Sequence, residues 1–311
     1  MVAYRCFELR AYSVELSFLM KLRIAAAAAV GVVVIGIWAW PLAAPSDPFG
    51  AVKLGNLGSS GVVILAALAF VVGLFCYFLC WPHGREIAIL AVPSGLAVWA
   101  ARTGNMASQI QMSPAIGQRQ VLLSELKWEP LFWLAVVGIG FAGVLCGQKI
   151  RCGATYRQEP DKPKSSLAPY LNVAVALVAS VLIAVLTLGR LAQDITMTNG
   201  SLGSVMGQPA TGQIVFGTIV AFGLAAFIVK HFLNAGYIWP IIAAGLATPF
   251  AITAYAKYNT IEHMCEYWPA AFFSNAAISV LPVQIVAFGT IGAVAGYWMG
   301  IKYDFWRKHE L

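Results

Sequence analysis

The sequence predicts an all-α integral membrane protein of eight transmembrane helices, arranged as two parallel four-helix repeats. Three observations lead there. The 311 residues are 60% hydrophobic and 11% charged, whereas soluble domains carry roughly a quarter charged residues. The apolar residues fall into eight long blocks, with the charges in the tails and loops or at block edges. Finally, the last four blocks echo the first four at a nearly constant offset.

A helix needs about 20 apolar residues to cross ~30 Å of hydrocarbon. The predicted spans are Ile24–Trp40, Val62–Trp81, Ile87–Ala101, Leu131–Cys146, Tyr170–Leu188, Ile214–Val229, Tyr237–Tyr255 and Ala277–Ile301. The third is the shortest and contains Pro93 and Gly95, so a kinked or re-entrant course is an alternative there. Around these spans the chain divides into an N-terminal segment 1–23, a first membrane repeat 24–147, a linker 148–166 with Pro160 and Pro163, a second repeat 167–301 and a tail 302–311.

Lysine and arginine set the orientation. With a cytoplasmic N-terminus, fourteen of the 20 basic residues lie inside and six outside. Both termini are therefore expected in the cytoplasm, in a plasma membrane of the bacterial inner-membrane type. The stretch from Met20 resembles a signal peptide with Ala43-Ala44 at a cleavage site, and Met20 is an alternative start. Pro45 would follow that cut, so an uncleaved first helix is expected. The tail Lys308-His309-Glu310-Leu311 resembles a lumenal retrieval signal, but is placed in the cytoplasm.

The net charge of +7 does not point to nucleic acid, because the basic residues flank spans and form no aromatic-lined groove. The expected partners are the lipid bilayer and, for a scaffold, other membrane subunits. Cys6, Cys76, Cys80, Cys146, Cys152 and Cys265 form no disulfide pattern.

The repeat rests on ordered matches. Gly73-Leu74 pairs with Gly223-Leu224 and Gly95-Leu96-Ala97 with Gly245-Leu246-Ala247, both at offset 150. Ala142-Gly143, Gly147 and Lys149 match Ala295-Gly296, Gly300 and Lys302 at offset 153. Four spans per unit place both halves in the membrane in the same sense, as in parallel-repeat transporters. The small residues Gly143 and Gly147, then Gly292, Gly296 and Gly300, form stripes that let helices approach closely. The fourth and eighth spans are therefore expected to meet at the centre.

No ionisable group is expected at mid-membrane, which argues against ion coupling, a proton channel or buried redox ligands. Asn172 and Gln284 are the candidate substrate contacts within the spans. Pro93, Gly95, Gly245 and Pro249 interrupt paired helices, as at sites between repeats. Pro240 and Pro282 also fall within predicted spans. The outer loop holds Glu262, His263, Cys265 and Glu266. The last three are weak metal candidates, and with Glu125 and Glu129 the loop offers an outer binding patch. His83 and His231 near the inner cysteines suit interface anchors better than ligands. No cofactor fingerprint, nucleophile elbow or HExxH motif occurs, so neither cofactor nor metal is expected. The expected function is permease-like, passing or binding a small neutral or lipid-like substrate between the repeats. A scaffold or accessory subunit is the alternative, and a membrane enzyme acting on lipid is a third.

Overall fold

The computed structural model describes residues 18–152 and 168–310, except residues 48 and 269–271. The linker prolines Pro160 and Pro163 and residues 1–17 of the N-terminal segment lie outside the described residues. Eight helices among them are long and apolar enough to cross a membrane.

Helix α1 (Phe18–Gly31) runs into a π-helical turn, Val32–Trp38. Helix α2 is Leu54–Leu79. The third span begins at Gly84, passes through a 3-10 turn at Ala88–Leu90 and continues as α3 (Ala91–Arg102). As a whole, Gly84–Arg102 is long and apolar enough to cross a membrane. A short helix, α4 (Met106–Gln111), leads to α5 (Ile116–Cys152). The second set is α6 (Ala168–Leu191), α7 (Thr211–Leu233), α8 (Ile238–Tyr255) and α10 (Pro282–Glu310). Between them stand a hairpin, β1 (Thr196–Asn199) with β2 (Gly203–Gly207), a surface helix α9 (Tyr258–Tyr267), and β3 (Phe272–Phe273). The three strands form one antiparallel sheet in the order β1-β2-β3.

The ends at Phe18 and Glu310 mark one face, called terminal here; the opposite face is distal. Helix α5 is 37 residues long, about 55 Å at 1.5 Å per residue, well beyond the ~30 Å of hydrocarbon. Its surplus lies on the distal side. From Ile116 to Pro130 the buried positions are one-sided: Arg119, Leu122, Leu123, Leu126, Glu129 and Pro130. That spacing is the stripe of an ordinary amphipathic helix. An apolar-run criterion starts the span at Leu131 and misses these turns. They join α4, α9 and the small sheet in a distal cap.

The fourth and eighth spans, α5 and α10, do touch as expected, but their glycine stripes face other helices. A Cβ on Gly143 would stand 2.2 Å from the Phe70 carbonyl oxygen, and one on Gly73 would stand 2.0 Å from that of Gly140. Gly147 faces the Tyr77 ring. These are contacts of α5 with α2. Likewise, a Cβ on Gly292 would meet the Ile219 carbonyl oxygen at 2.3 Å, Gly296 that of Gly223 at 1.9 Å, and Gly300 the Lys230 side chain. These are contacts of α10 with α7. The stripes therefore join helices within each set of four, because small residues are most valuable where backbones cross closest.

The proline expectation is also revised. Pro282 is the first residue of α10 and Pro240 the third of α8, whereas Pro93 follows directly on the 3-10 turn Ala88–Leu90 within the third span. First-turn nitrogens have no intrahelical partner to lose, so proline costs little there. Only Pro130 and Pro249 are interior to described helices.

Helix α3 packs on α1 and α10, and α8 packs on α6, α5 and α10. On the terminal face, the Cys80 thiol lies 3.5 Å from the Arg23 carbonyl oxygen and Cys76 lies 4.0 Å from that of Ala27, tying α2 to α1. His231 and Asp304 pair at 2.9 Å between α7 and α10. Cys76, Cys80 and His231 thus tie helices together on the terminal side.

Candidate functional site

The candidate residues at mid-bundle are taken up by packing. Pro93, Gly95, Gly245 and Pro249 are all buried. A Cβ on Gly95 would meet the Gly31 carbonyl oxygen at 2.5 Å; one on Gly245 would meet Leu134 at 2.7 Å. These glycines face different neighbours. Asn172 is exposed near the start of α6, far along the chain from Gln284 and at the terminal end of its helix.

Gln284 has a defined task. It is 2% exposed. Its Oε1 accepts the Leu281 N–H at 3.1 Å, closing the first turn of α10 as the third residue of a capping box does. Its Nε2 donates to the Ala100 carbonyl oxygen at 3.1 Å in the last turn of α3. Within a longer helix that carbonyl would accept the Gly104 N–H, which instead donates to Gly50 at 3.0 Å. One amide thus satisfies two orphaned helix ends and joins the two sets of helices. Gln208 does similar work nearer the distal face, accepting the Ala107 N–H at 3.0 Å and donating to the Ser279 carbonyl at 3.3 Å. It went unnoticed in the sequence because a loop glutamine carries no pattern.

The expected outer acidic patch is divided in two. Glu129 is 7% exposed and accepts both the Leu54 N–H (3.0 Å) and the Trp133 indole N–H (3.1 Å). Next to it Trp133, Trp99 and Trp40 form an edge-to-face series with centroids 6.2 and 6.4 Å apart, and Arg102 lies over Trp40 at 5.3 Å. Burial lowers the pKa of the neighbouring Lys53 ammonium, and Glu129 and Glu125 partly offset this. On α9, by contrast, Glu262 and Glu266 are exposed. His263 lies 3.1 Å from the Asn199 amide, and its ring sits 4.7 Å from that of Tyr267. No three metal-ligating side chains come together as a metal site among the described residues, His263, Cys265 and Glu266 included.

What the distal cap does form is a cleft. One wall is α4 with Ile110 and the distal turns of α5 with Arg119, Leu122 and Leu123. The other comes from α9 and β3, including Ile261, Met264, Phe272 and Phe273. Ala256 and Ile278 border it beside the distal ends of α8 and α10. Amphipathic periodicity explains both walls: α5 turns Leu122 and Leu123 inward, and α9 turns Ile261 and Met264 inward. Helix α9 packs directly on α5. The polar side chains in the lining are Arg119, Thr260 and Ser274, the last donating to the Tyr255 carbonyl at 3.1 Å. The sequence signal for this site was the pair of amphipathic segments flanking the apolar runs.

The fold is that of a multi-pass, all-α membrane protein, and its distal cap carries a small recess of about 50 Å³ that opens to the surface. Compared with known proteins, the chain matches no protein family, no curated protein and no solved structure.

Proposed function

We propose that the chain is a duplicated membrane protein that holds a lipid-like ligand in the distal cleft, at the junction of its two four-helix repeats and without ion coupling. The observation that carries this reading is the composition of the cleft walls. The offset of 150 that relates Gly95 to Gly245 also relates Ile110 to Thr260, and Leu122-Leu123 to Phe272-Phe273. Matching segments from the two halves thus face each other across one apolar space, as ligand sites at repeat interfaces do.

The helix contacts support the duplication. Under exchange of the halves, α3 against α10 becomes α8 against α5, and both contacts occur. Such reciprocity is the signature of a two-fold interface. The glycine contacts of α2 with α5 and of α7 with α10 correspond in the same way. The bias of basic residues supports cytoplasmic termini in a plasma membrane of the bacterial inner-membrane type, with the cleft outside. Single cysteines at Thr198 and Lys257 should therefore react with an impermeant maleimide on intact cells. Reaction only after lysis would reverse the topology.

The ligand test is photochemical. A neutral amphiphile with a diazirine in its acyl chain, irradiated with the purified protein in neutral-lipid nanodiscs, should cross-link to residues 119–126 and 258–274. Leu123→Asp should reduce that labelling about tenfold, since a buried carboxylate disfavours an apolar chain. Labelling spread evenly over lipid-facing helices would remove the ligand reading. It would leave the scaffold reading, which the burial of Gln284, Gly95 and Gly245 independently favours.

A further inference from the structure

Arg119 is the unusual feature of the distal cleft. It is only 8% exposed. Its Nε donates to the Ser113 carbonyl at 3.2 Å, the one hydrogen bond its side chain makes among the described residues. A guanidinium carries five N–H donors and stays charged at any physiological pH. No acidic side chain among the described residues lies within ion-pair distance of it. Its neighbours in the cleft are Ile110, Leu122, Leu123, Ile261 and Met264. The terminal nitrogens of Arg119 are not among the enclosed, partnerless polar atoms, so its charge reaches the mouth of the cleft, where a counter-charge can meet it at little desolvation cost.

From this we infer that the cleft recognises an anionic amphiphile, with its phosphate or carboxylate head on Arg119 and its apolar tail along the Leu122–Leu123 and Phe272–Phe273 walls. The inference rests on the ligand reading of the cleft and adds the chemistry of the head. The planar guanidinium suits a two-oxygen anion, which it can hold through parallel N–H bonds. The walls are too apolar to suit a free inorganic anion, and the single arginine breaks the near-symmetry of the walls and fixes which end of the ligand enters where. Two further polar groups lie close by. Thr260 offers a hydroxyl in the lining. Trp268, whose ring packs on Phe272 at 5.2 Å, has its indole N–H buried without a partner among the described residues.

The experiment is equilibrium binding to the full-length protein in phosphatidylcholine nanodiscs. Radiolabelled dodecyl phosphate is the probe, with laurate, dodecanol and inorganic phosphate as competitors. Saturable one-to-one binding is expected, with laurate competing, dodecanol at least tenfold weaker, and phosphate ineffective at millimolar concentration. Arg119→Gln should weaken dodecyl phosphate about 30-fold while leaving dodecanol binding unchanged, the loss expected for charge-assisted hydrogen bonds. Arg119→Lys should restore part of it. Retained dodecanol binding in Arg119→Gln also reports that the cleft is still folded. A Thr260→Trp variant, which keeps the arginine but narrows the space, should weaken both probes alike.

The outcomes separate the two levels of the argument. Dodecyl phosphate and dodecanol binding equally, with no effect of Arg119→Gln, would overturn recognition of the head and leave the lipid-like ligand reading standing. Competition by inorganic phosphate as strong as by laurate would replace the amphiphile with a simple anion. Failure of every probe to bind would remove both.

Discussion

Gly296→Ala is expected to destabilise the bundle by at least ~3 kcal/mol, the upper end of overpacking costs. The added methyl would stand 1.9 Å from the carbonyl oxygen of Gly223 and 2.6 Å from its carbonyl carbon. Those are backbone atoms of α7, so no rotamer change can clear them. Helix α7 or α10 must move by more than an ångström, and α10 also supports α3, α5 and α8. The effect should appear as a lowered unfolding midpoint in mild detergent. Gly73→Ala, whose methyl would stand 2.0 Å from the Gly140 carbonyl oxygen, should behave alike on α2 and α5. Gly138→Ala is the control. Nothing lies within 4 Å of its Cβ position, and alanine there should be neutral or stabilising by up to ~1 kcal/mol. Equal midpoints for Gly296→Ala and Gly138→Ala would show that the helices are not in this close contact.

The second large effect is expected at Gln284. Gln284→Leu keeps the approximate volume but leaves the Leu281 N–H and the Ala100 carbonyl buried without partners. Each unsatisfied group costs about 1–3 kcal/mol, so a loss of roughly 2–6 kcal/mol is expected. Because the bonds link α10 to α3, the loss should fall on association of the two sets of helices. Co-expressed halves, divided between residues 152 and 168, should copurify with Gln284 and separate with leucine. Gln284→Glu should be no better, since a carboxylate accepts from Leu281 but cannot donate to Ala100. Unimpaired copurification of the leucine variant would mean the halves are held without this clamp. A substrate contact at Gln284 would predict the opposite pattern, altered ligand binding with normal assembly.

The different fates of the candidate residues follow from what a sequence encodes. Apolar run length is a one-dimensional property, so the crossing segments were legible, including the doubtful third. The glycine stripes were legible as close-contact surfaces, but their partners were not. Gly143 and Gly296 carry the same signal whether they meet each other or meet Phe70 and Gly223. Gln284 stood out as a buried amide, yet its role depends on Ala100, far away along the chain. Arg119 gave no signal, because a charged residue in a long connection is normally solvated. Its burial arises only when α9 folds against the distal turns of α5. Those turns were read as loop because their pattern is amphipathic rather than uniformly apolar.

By itself, then, the sequence determined that this chain is an all-α membrane protein with eight candidate spans and charges confined to their margins. Hydrophobic transfer depends on composition and length alone, so no neighbour had to be known. The tertiary structure decided which helices the glycines join, which helix ends Gln284 completes, and that Arg119 sits unpaired in an apolar cleft of the distal cap. Contact, hydrogen-bond satisfaction and desolvation belong to pairs of groups, and only the folded chain brings those pairs together.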